Sequence, residues 1–393
     1  MKTRAAVLET IGLPAPYAQS RPLRIREVEL AAPGPGEVLI RVRAAGLCHS
    51  DLSVVSGDRP RPMPMVLGHE SAAEVVECGA GVSGAGAGAG AGAGKSGAGG
   101  LRPGDRVVLV FMPSCGGCMP CMEGRPALCE PGAASNGAGT LLSGERRLSL
   151  DGAALNHHVG VSCFADYAVV SQRSCVKIDL SQAELSHAEA ALFGCAVLTG
   201  AGAVINTARV QAGSSVAVLG LGGVGFSALL AALASGAREV VAIDLSDAKL
   251  ELARELGATA CVNAAAPDAA EQVRALTRGG VEYAFEMAGA IAAMELAWRI
   301  TRRGGSTISA GLPHPDKRFA LPPVQLVAEE RTLRGSYIGS AVPARDIPRY
   351  IDLYRRGKLP VDRLMGERLA LEDINLGFDR LASGHALRDV VVF

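Results

Sequence analysis

The chain has 393 residues, 49% hydrophobic and 20% charged, with lysine plus arginine equal to aspartate plus glutamate at 39 each. That length exceeds one ordinary core, so two domains are expected. The balanced charge removes the electrostatic case for nucleic acid or an anionic membrane as partner.

The N-terminal stretch Met1-Lys-Thr-Arg-Ala-Ala-Val-Leu-Glu9 has no long apolar segment, and no uncharged apolar run approaches the ~18 residues of a membrane span. No signal peptide or membrane span is expected. Ten cysteines then argue for thiols kept reduced for metal binding, and for a cytoplasmic address. Up to about residue 195 the chain reads as short β-type runs punctuated by proline and glycine. Examples are Glu37–Arg43, Arg106–Phe111 and Asp166–Ser171, as in a compact, mostly β domain. A Gly-Ala repeat at 84–100 has almost nothing to pack and is expected to be a dispensable surface loop. Its Gly94-Lys95-Ser96 is not a phosphate loop, because Ala89 stands where glycine is needed and no strand leads in.

From about 213 the rhythm changes. Strands at Ser215–Gly220, Glu239–Asp244, Tyr283–Glu286 and Ser306–Ser309 alternate with helical stretches at Val224–Gly236 and Ala248–Leu256. Such alternation predicts an α/β fold with a doubly wound parallel sheet. The tail ends in a strand-like Asp389-Val-Val-Val-Phe393, expected to rejoin the first domain.

Two local patterns carry chemistry. Cys115-Gly-Gly-Cys118-Met-Pro-Cys121 is followed after seven residues by Cys129. Four thiolates at that spacing can close a tetrahedral shell, which is a structural zinc site without a free position. Gly220-Leu-Gly222-Gly223-Val224-Gly225 fits the dinucleotide fingerprint between a strand and a helix, where backbone approaches a pyrophosphate. Asp244 closes the next strand, where a carboxylate accepts both ribose hydroxyls and repels a 2′-phosphate, favouring NAD over NADP. Lys249 could touch the adenosine ribose and equally suits a solvated helix face.

Cys48-His49-Ser50-Asp51, then Gly68-His69-Glu70, then Gly194-Cys195-Ala196 complete the inventory. Each of these alone reads as an ordinary core residue. Taken with the four-cysteine lobe, the glycine fingerprint and the closing Leu387–Phe393, they resemble the zinc-containing medium-chain alcohol dehydrogenases over essentially the whole chain. The resemblance implies a Rossmann domain at 197–337. It implies a mostly β, GroES-like catalytic domain at 1–196 and 338–393, with the zinc lobe near 113–131. It also implies that Cys48, His69 and Cys195 bind a catalytic zinc, with water or substrate oxygen as fourth ligand. Glu70 would tune that metal or pair with a basic group. Ser50 would relay the proton, and Asp51 would orient His69. His49 and Arg388 would hold the pyrophosphate, Thr199 would contact the cofactor, and Phe111, His158, Leu312 and Ile338 would line the substrate channel.

Two features depart from the family pattern. Ser53 stands where many members carry a relay histidine, and the Gly-Ala run is inserted before the lobe. One branch of the family oxidises the glutathione adduct of formaldehyde and uses an arginine just after the fourth lobe cysteine. This chain has Glu130-Pro-Gly-Ala133 there, which counts against that substrate. The expected activity is therefore reversible hydride transfer between a primary aliphatic or aromatic alcohol, or its aldehyde, and NAD. A zinc-free quinone or enoyl reductase and a non-catalytic zinc-binding protein are the competing readings. A homodimer or tetramer is expected through the edge of the cofactor-domain sheet, near Thr307–Ala310.

Overall fold

The first strand shows how one sequence period builds two cores. In β1 (Lys2–Leu8), Ala6 and Leu8 enter one buried cluster while Ala5 and Val7 enter another, as period-two side-chain alternation requires. The computed structural model describes residues 1–82, 100–179, 185–384 and 387–393, and the Gly-Ala run at 84–99 lies outside these described residues. Two compact units result. The first comprises Met1–Cys195, Val342–Ile351 and Asp362–Phe393; the second comprises Ala196–Ala341 and Asp352–Val361. The return to the first unit thus falls at Val342 and not at 338, because Ile338–Ala341 stays with the second unit.

In the first unit, β2 (Leu23–Leu30), β4 (Met65–Val66), β7 (Leu148–Leu150) and β8 (Ala153–His157) close a barrel with β1 in the order β1-β2-β7-β8-β4. A second sheet is built on β3 (Glu37–Gly46). Its strands are β5 (Glu70–Cys78), β6 (Arg106–Leu109), β9 (Tyr167–Ser171), β10 (Cys175–Lys177), β17 (Arg368–Leu369) and β18 (Val390–Val392). Their order is β10-β6-β5-β3-β18-β17, with β9 also on β3. Having three neighbours, β3 is buried along most of its length on both faces. The last strand joins this sheet antiparallel to β3, Val391 opposite Ala45.

The second unit is a parallel sheet of β11 (Ser215–Leu219), β12 (Glu239–Asp244), β13 (Ala260–Asn263), β14 (Val281–Glu286), β15 (Thr301–Ser309) and β16 (Thr332–Gly335). Its order is β13-β12-β11-β14-β15-β16, so the chain reverses direction across the sheet at β11 and β14. All five residues of β11 are buried, as expected of a central parallel strand. A ligand in such a sheet binds beyond the carboxyl ends of the strands at the reversal, which is where Gly220 follows β11.

The sheet edge differs from expectation. Thr307 lies on β15, which β16 covers, and its buried hydroxyl pairs with that of Thr301 at 2.8 Å. The edge on that side is β16, all four residues exposed; its Thr-Leu-Arg-Gly sequence carries too little apolar character to be read as a strand. Among the described residues no single helix is long and apolar enough to cross a membrane.

Candidate active site

Three distant segments of the first unit converge. Beyond Gly46 at the end of β3, Cys48 adopts extended φ and ψ as the N-cap of helix His49–Val55. His69 lies between β4 and β5, and Cys195 follows the tight turn Leu192–Gly194. Cys48, His69, Glu70 and Cys195 are all buried, with one ligand atom from each within 4.8 Å of the others. The two sulfurs are 4.0 Å apart, and Cys195 Sγ is 3.4 Å from His69 Nε2. Tetrahedral zinc with ordinary Zn–S and Zn–N bonds needs edges of about 3.8 and 3.6 Å, so the donors are already spaced for it. A Cβ on Gly46 would stand 2.9 Å from Glu70 Oε1, so glycine there leaves room for that carboxylate.

The charges around the cluster are arranged for a cation. Both Glu70 oxygens, Asp51 Oδ2 and His69 Nδ1 are buried without an aligned hydrogen-bond partner, a costly state unless an ion or ion pair completes them. Burial pushes the Glu70 carboxyl up to about 7 against the opposing pull of Arg388. Arg388 is itself buried, 3.4 Å from Glu70 Oε2, and donates to the Leu47 carbonyl at 2.9 Å. The Arg388 guanidinium thus stands as counter-charge to a buried carboxylate.

Cys48 is the favoured thiolate of the pair. The contact with Cys195 and then the Arg388 and His69 charges hold its pKa well below the usual thiol range, against the cost of burial. Cys195 is raised, by Cys48 and by burial.

Behind this cluster lies Asp51, in the first turn of the helix. Its Oδ2 is 3.0 Å from His69 Nδ1, its Oδ1 is 3.0 Å from His158 Nδ1, and Oδ1 accepts the Gly68 N–H at 3.1 Å. Burial works to raise the Asp51 pKa, but His69 and His158 hold it down at about 2. His69 is also opposed by burial, yet Asp51 and Cys48 raise it well above the usual imidazole range. The Phe111 ring stands edge-on to His69, centroids 5.1 Å apart.

Cys115, Cys118, Cys121 and Cys129 form a second cluster with ligand atoms within 4.8 Å. Backbone N–H groups of Gly117 and Cys118 point at Cys115 Sγ (3.4 and 3.3 Å), and those of Cys115 and Gly132 at Cys129 Sγ (3.2 and 3.4 Å). The Gly117 and Cys118 donors bring Cys115 down to about 7 against the opposing effect of burial.

The GroES-like domain model of the alcohol dehydrogenases matches residues 34–180, and the zinc-binding dehydrogenase model matches 223–356. An S-(hydroxymethyl)glutathione dehydrogenase of Synechocystis is 35% identical, with both chains covered in full. This chain belongs to the zinc-containing medium-chain alcohol dehydrogenases. Benzyl alcohol dehydrogenase from Acinetobacter calcoaceticus superposes with TM-score 0.88 at 30% identity over 100% of this chain and 99% of that one. A zinc-binding dehydrogenase of Sinorhizobium meliloti bound to NADP superposes at 0.77 and 26%, with both chains covered in full. The chain is thus an oxidoreductase of CH–OH donors that uses zinc and a nicotinamide cofactor, and the non-catalytic reading falls away.

The dinucleotide fingerprint of this dehydrogenase has the shape its sequence requires. Gly220 has φ +89°, and a Cβ on Gly225 would collide with the Gly220 carbonyl. Gly222 faces open space before helix Gly223–Ala234, whose first turn has no side-chain cap, and Val224 is half-buried in that turn. Open N–H groups at that end suit a pyrophosphate. Asp244 is fixed by the Leu221 and Ser246 N–H groups, at 2.6 and 2.9 Å. Lys249 and Thr199 are half-buried on helices Asp247–Glu255 and Ala196–Gly202. His49 is exposed and Ser50 half-buried at the start of their helix.

Of the four channel residues, Phe111 and His158 stand beside His69. Leu312 and Ile338 belong to the second unit, where Leu312 is exposed and Ile338 is buried. Ile338 opens a left-handed turn through Ile338-Gly339-Ser340. His158 also contacts Asp51 through its Nδ1.

Proposed function

We propose that Cys48, His69 and Cys195 hold the catalytic zinc of a primary-alcohol dehydrogenase, with Glu70 at its side and a second zinc in the four-cysteine lobe. The observation that carries this is the buried set of two thiols, an imidazole and a carboxylate at zinc-like spacing, with Asp51 behind the imidazole. When bound, zinc acidifies an alcohol and polarises an aldehyde, and the nicotinamide accepts or returns the hydride. Asp51 keeps His69 oriented, and Arg388 balances Glu70 so that the thiolates and carboxylate coexist in a buried site. Ser50, two residues past Cys48, relays the hydroxyl proton, accepting it as it passes its own outward. Ser53 offers no imidazole and its hydroxyl donates to the His49 carbonyl at 2.8 Å, so the outward proton step uses water.

NAD is the preferred cofactor, supported by Asp244 at the end of β12, where a 2′-phosphate would meet a carboxylate. The Phe111 ring beside His69 supports an aliphatic or aromatic primary alcohol. The relative named for S-(hydroxymethyl)glutathione favours a second reading, against which stand the exposed Glu130, Pro131 and Ala133 after the fourth lobe cysteine. A panel of benzyl alcohol, straight-chain primary alcohols and S-hydroxymethylglutathione, each with NAD and with NADP, separates these. The highest kcat/KM is expected for an aromatic or aliphatic alcohol with NAD; a preference for the glutathione adduct would overturn the substrate assignment.

Free thiols at all ten cysteines suit a reducing, cytoplasmic setting. The exposed edge β16, with Leu333 on it and Val324 and Val327 exposed on helix Pro323–Ala328, supports a homo-oligomer built by pairing that edge with a second copy.

A further inference from the structure

His158 has no place in the scheme above, yet it is buried against the centre of the site. Its Nδ1 lies 3.0 Å from Asp51 Oδ1, while the other oxygen of the same carboxylate lies 3.0 Å from His69 Nδ1. The two imidazoles stand nearly perpendicular, centroids 5.5 Å apart, and Phe111 closes on His69 in a similar edge-on contact. Neither Nδ1 is squarely aligned on its oxygen. A turn of the carboxylate that improves one contact is therefore felt at the other, and the two rings set its orientation between them.

The backbone carrying His158 is tied to the segment carrying His69. The His158 N–H donates to Ser162 Oγ at 2.9 Å, and that hydroxyl donates to the Val66 carbonyl at 2.8 Å. The N–H groups of Cys163 and Phe164 donate to the carbonyls of Gly68 and Leu67, at 3.1 and 3.0 Å. The turn is also strained: Val159, a β-branched residue, has φ +44°, and Ser162 has φ +54°. Such conformations persist where the surroundings over-determine them, often at functional sites.

We propose that His158 is a positioning residue of the metal centre, sharing the Asp51 carboxylate with His69 and so fixing the ring that ligates zinc. The proposal rests on the metal-site reading of Cys48, His69 and Cys195. A residue that only lined a substrate channel would act on substrate KM and leave the metal alone. Carboxylates that orient ligating histidines are worth about 10–100-fold in metal affinity, and a group that orients the carboxylate falls at the lower end of that range.

The test uses the full-length zinc-loaded protein with His158→Phe, which keeps the ring and loses the nitrogens, and His158→Asn, whose amide stands where Nδ1 was. Zinc affinity is measured by chelator competition. The ligand-field absorption of the Co²⁺-substituted site is recorded, and zinc retained by the four-cysteine lobe serves as fold control. The expected result is about tenfold weaker binding at one site only in His158→Phe, with a shifted Co²⁺ band, and recovery of most of the loss in His158→Asn. Equal affinity and an unchanged band in His158→Phe would overturn the proposal. Should that variant lose the lobe zinc, ¹⁵N-histidine spectra of the wild-type chain decide: a proton on Nδ1 of His158 supports the assignment, and one on Nε2 overturns it. A wild-type chain holding only the lobe ion would instead overturn the metal-site reading, and this proposal with it.

Discussion

The two cysteine clusters use similar donors in opposite settings. In the lobe, the thiols come from 15 consecutive residues, Cys115 to Cys129, and three of the four are partly exposed. Their charge is met by backbone N–H groups that the loop itself supplies, such as Gly117 and Cys118 at Cys115. The buried cluster gathers Cys48, His69 and Cys195 from three distant segments, and its charge is met by side chains: Arg388 on Glu70, Asp51 on His69. A loop can satisfy its own thiolates and close around an ion. A buried site with a carboxylate lacking aligned partners stores electrostatic demand that an ion, and then a substrate, can meet.

Replacing a ligand in each cluster is the strongest way to break this contrast. His69→Ala is expected to lose one zinc per chain and at least ~10³-fold in kcat/KM, about 4 kcal/mol of transition-state stabilisation, while the fold and the lobe zinc remain. Metal analysis and NADH absorbance read both effects. Cys118→Ser should do the reverse: lobe zinc is lost, unfolding becomes easier by several kcal/mol in denaturant, and turnover per folded molecule stays close to wild type. A well-folded Cys118→Ser protein without turnover would contradict the division of roles.

The buried side can be sharpened through His157, whose Nε2 accepts the Arg147 N–H at 3.1 Å. Burial drives its pKa down to about 4. The unfolded chain then binds a proton near 6.5 that the folded chain refuses until about 4, so stability present above pH 6.5 is lost as pH falls toward 4. The loss attributable to this group is about 3 kcal/mol, and denaturant titrations at pH 7 and pH 4.5 should show a flatter pH slope in His157→Gln. The smallest effect concerns the cofactor: Asp244→Ala should raise KM for NAD roughly tenfold, about 1.4 kcal/mol, with kcat little changed and discrimination against NADP relaxed.

What the sequence made legible follows the same contrast. The clustering of the lobe thiols could be read from spacing because they are neighbours in the chain. β12 matches its expected bounds Glu239–Asp244, and β11 ends one residue short, at Leu219, because buried parallel strands leave continuous apolar runs. Cys48, His69 and Cys195 could be joined only by resemblance, since no local rule links positions so far apart. The Arg388–Glu70 pair and the Asp51–His158 contact are products of tertiary packing. The free edge β16 went unread because an exposed strand needs no apolar alternation.

The central claim is that a removable ion held by Cys48, His69 and Cys195 carries the reaction. Its most direct test follows zinc content and NADH formation together while the protein is treated with a chelator and then resupplied with zinc. One of two ions should leave, turnover should vanish with it, and both should return. Undiminished turnover after that ion has gone would contradict the account.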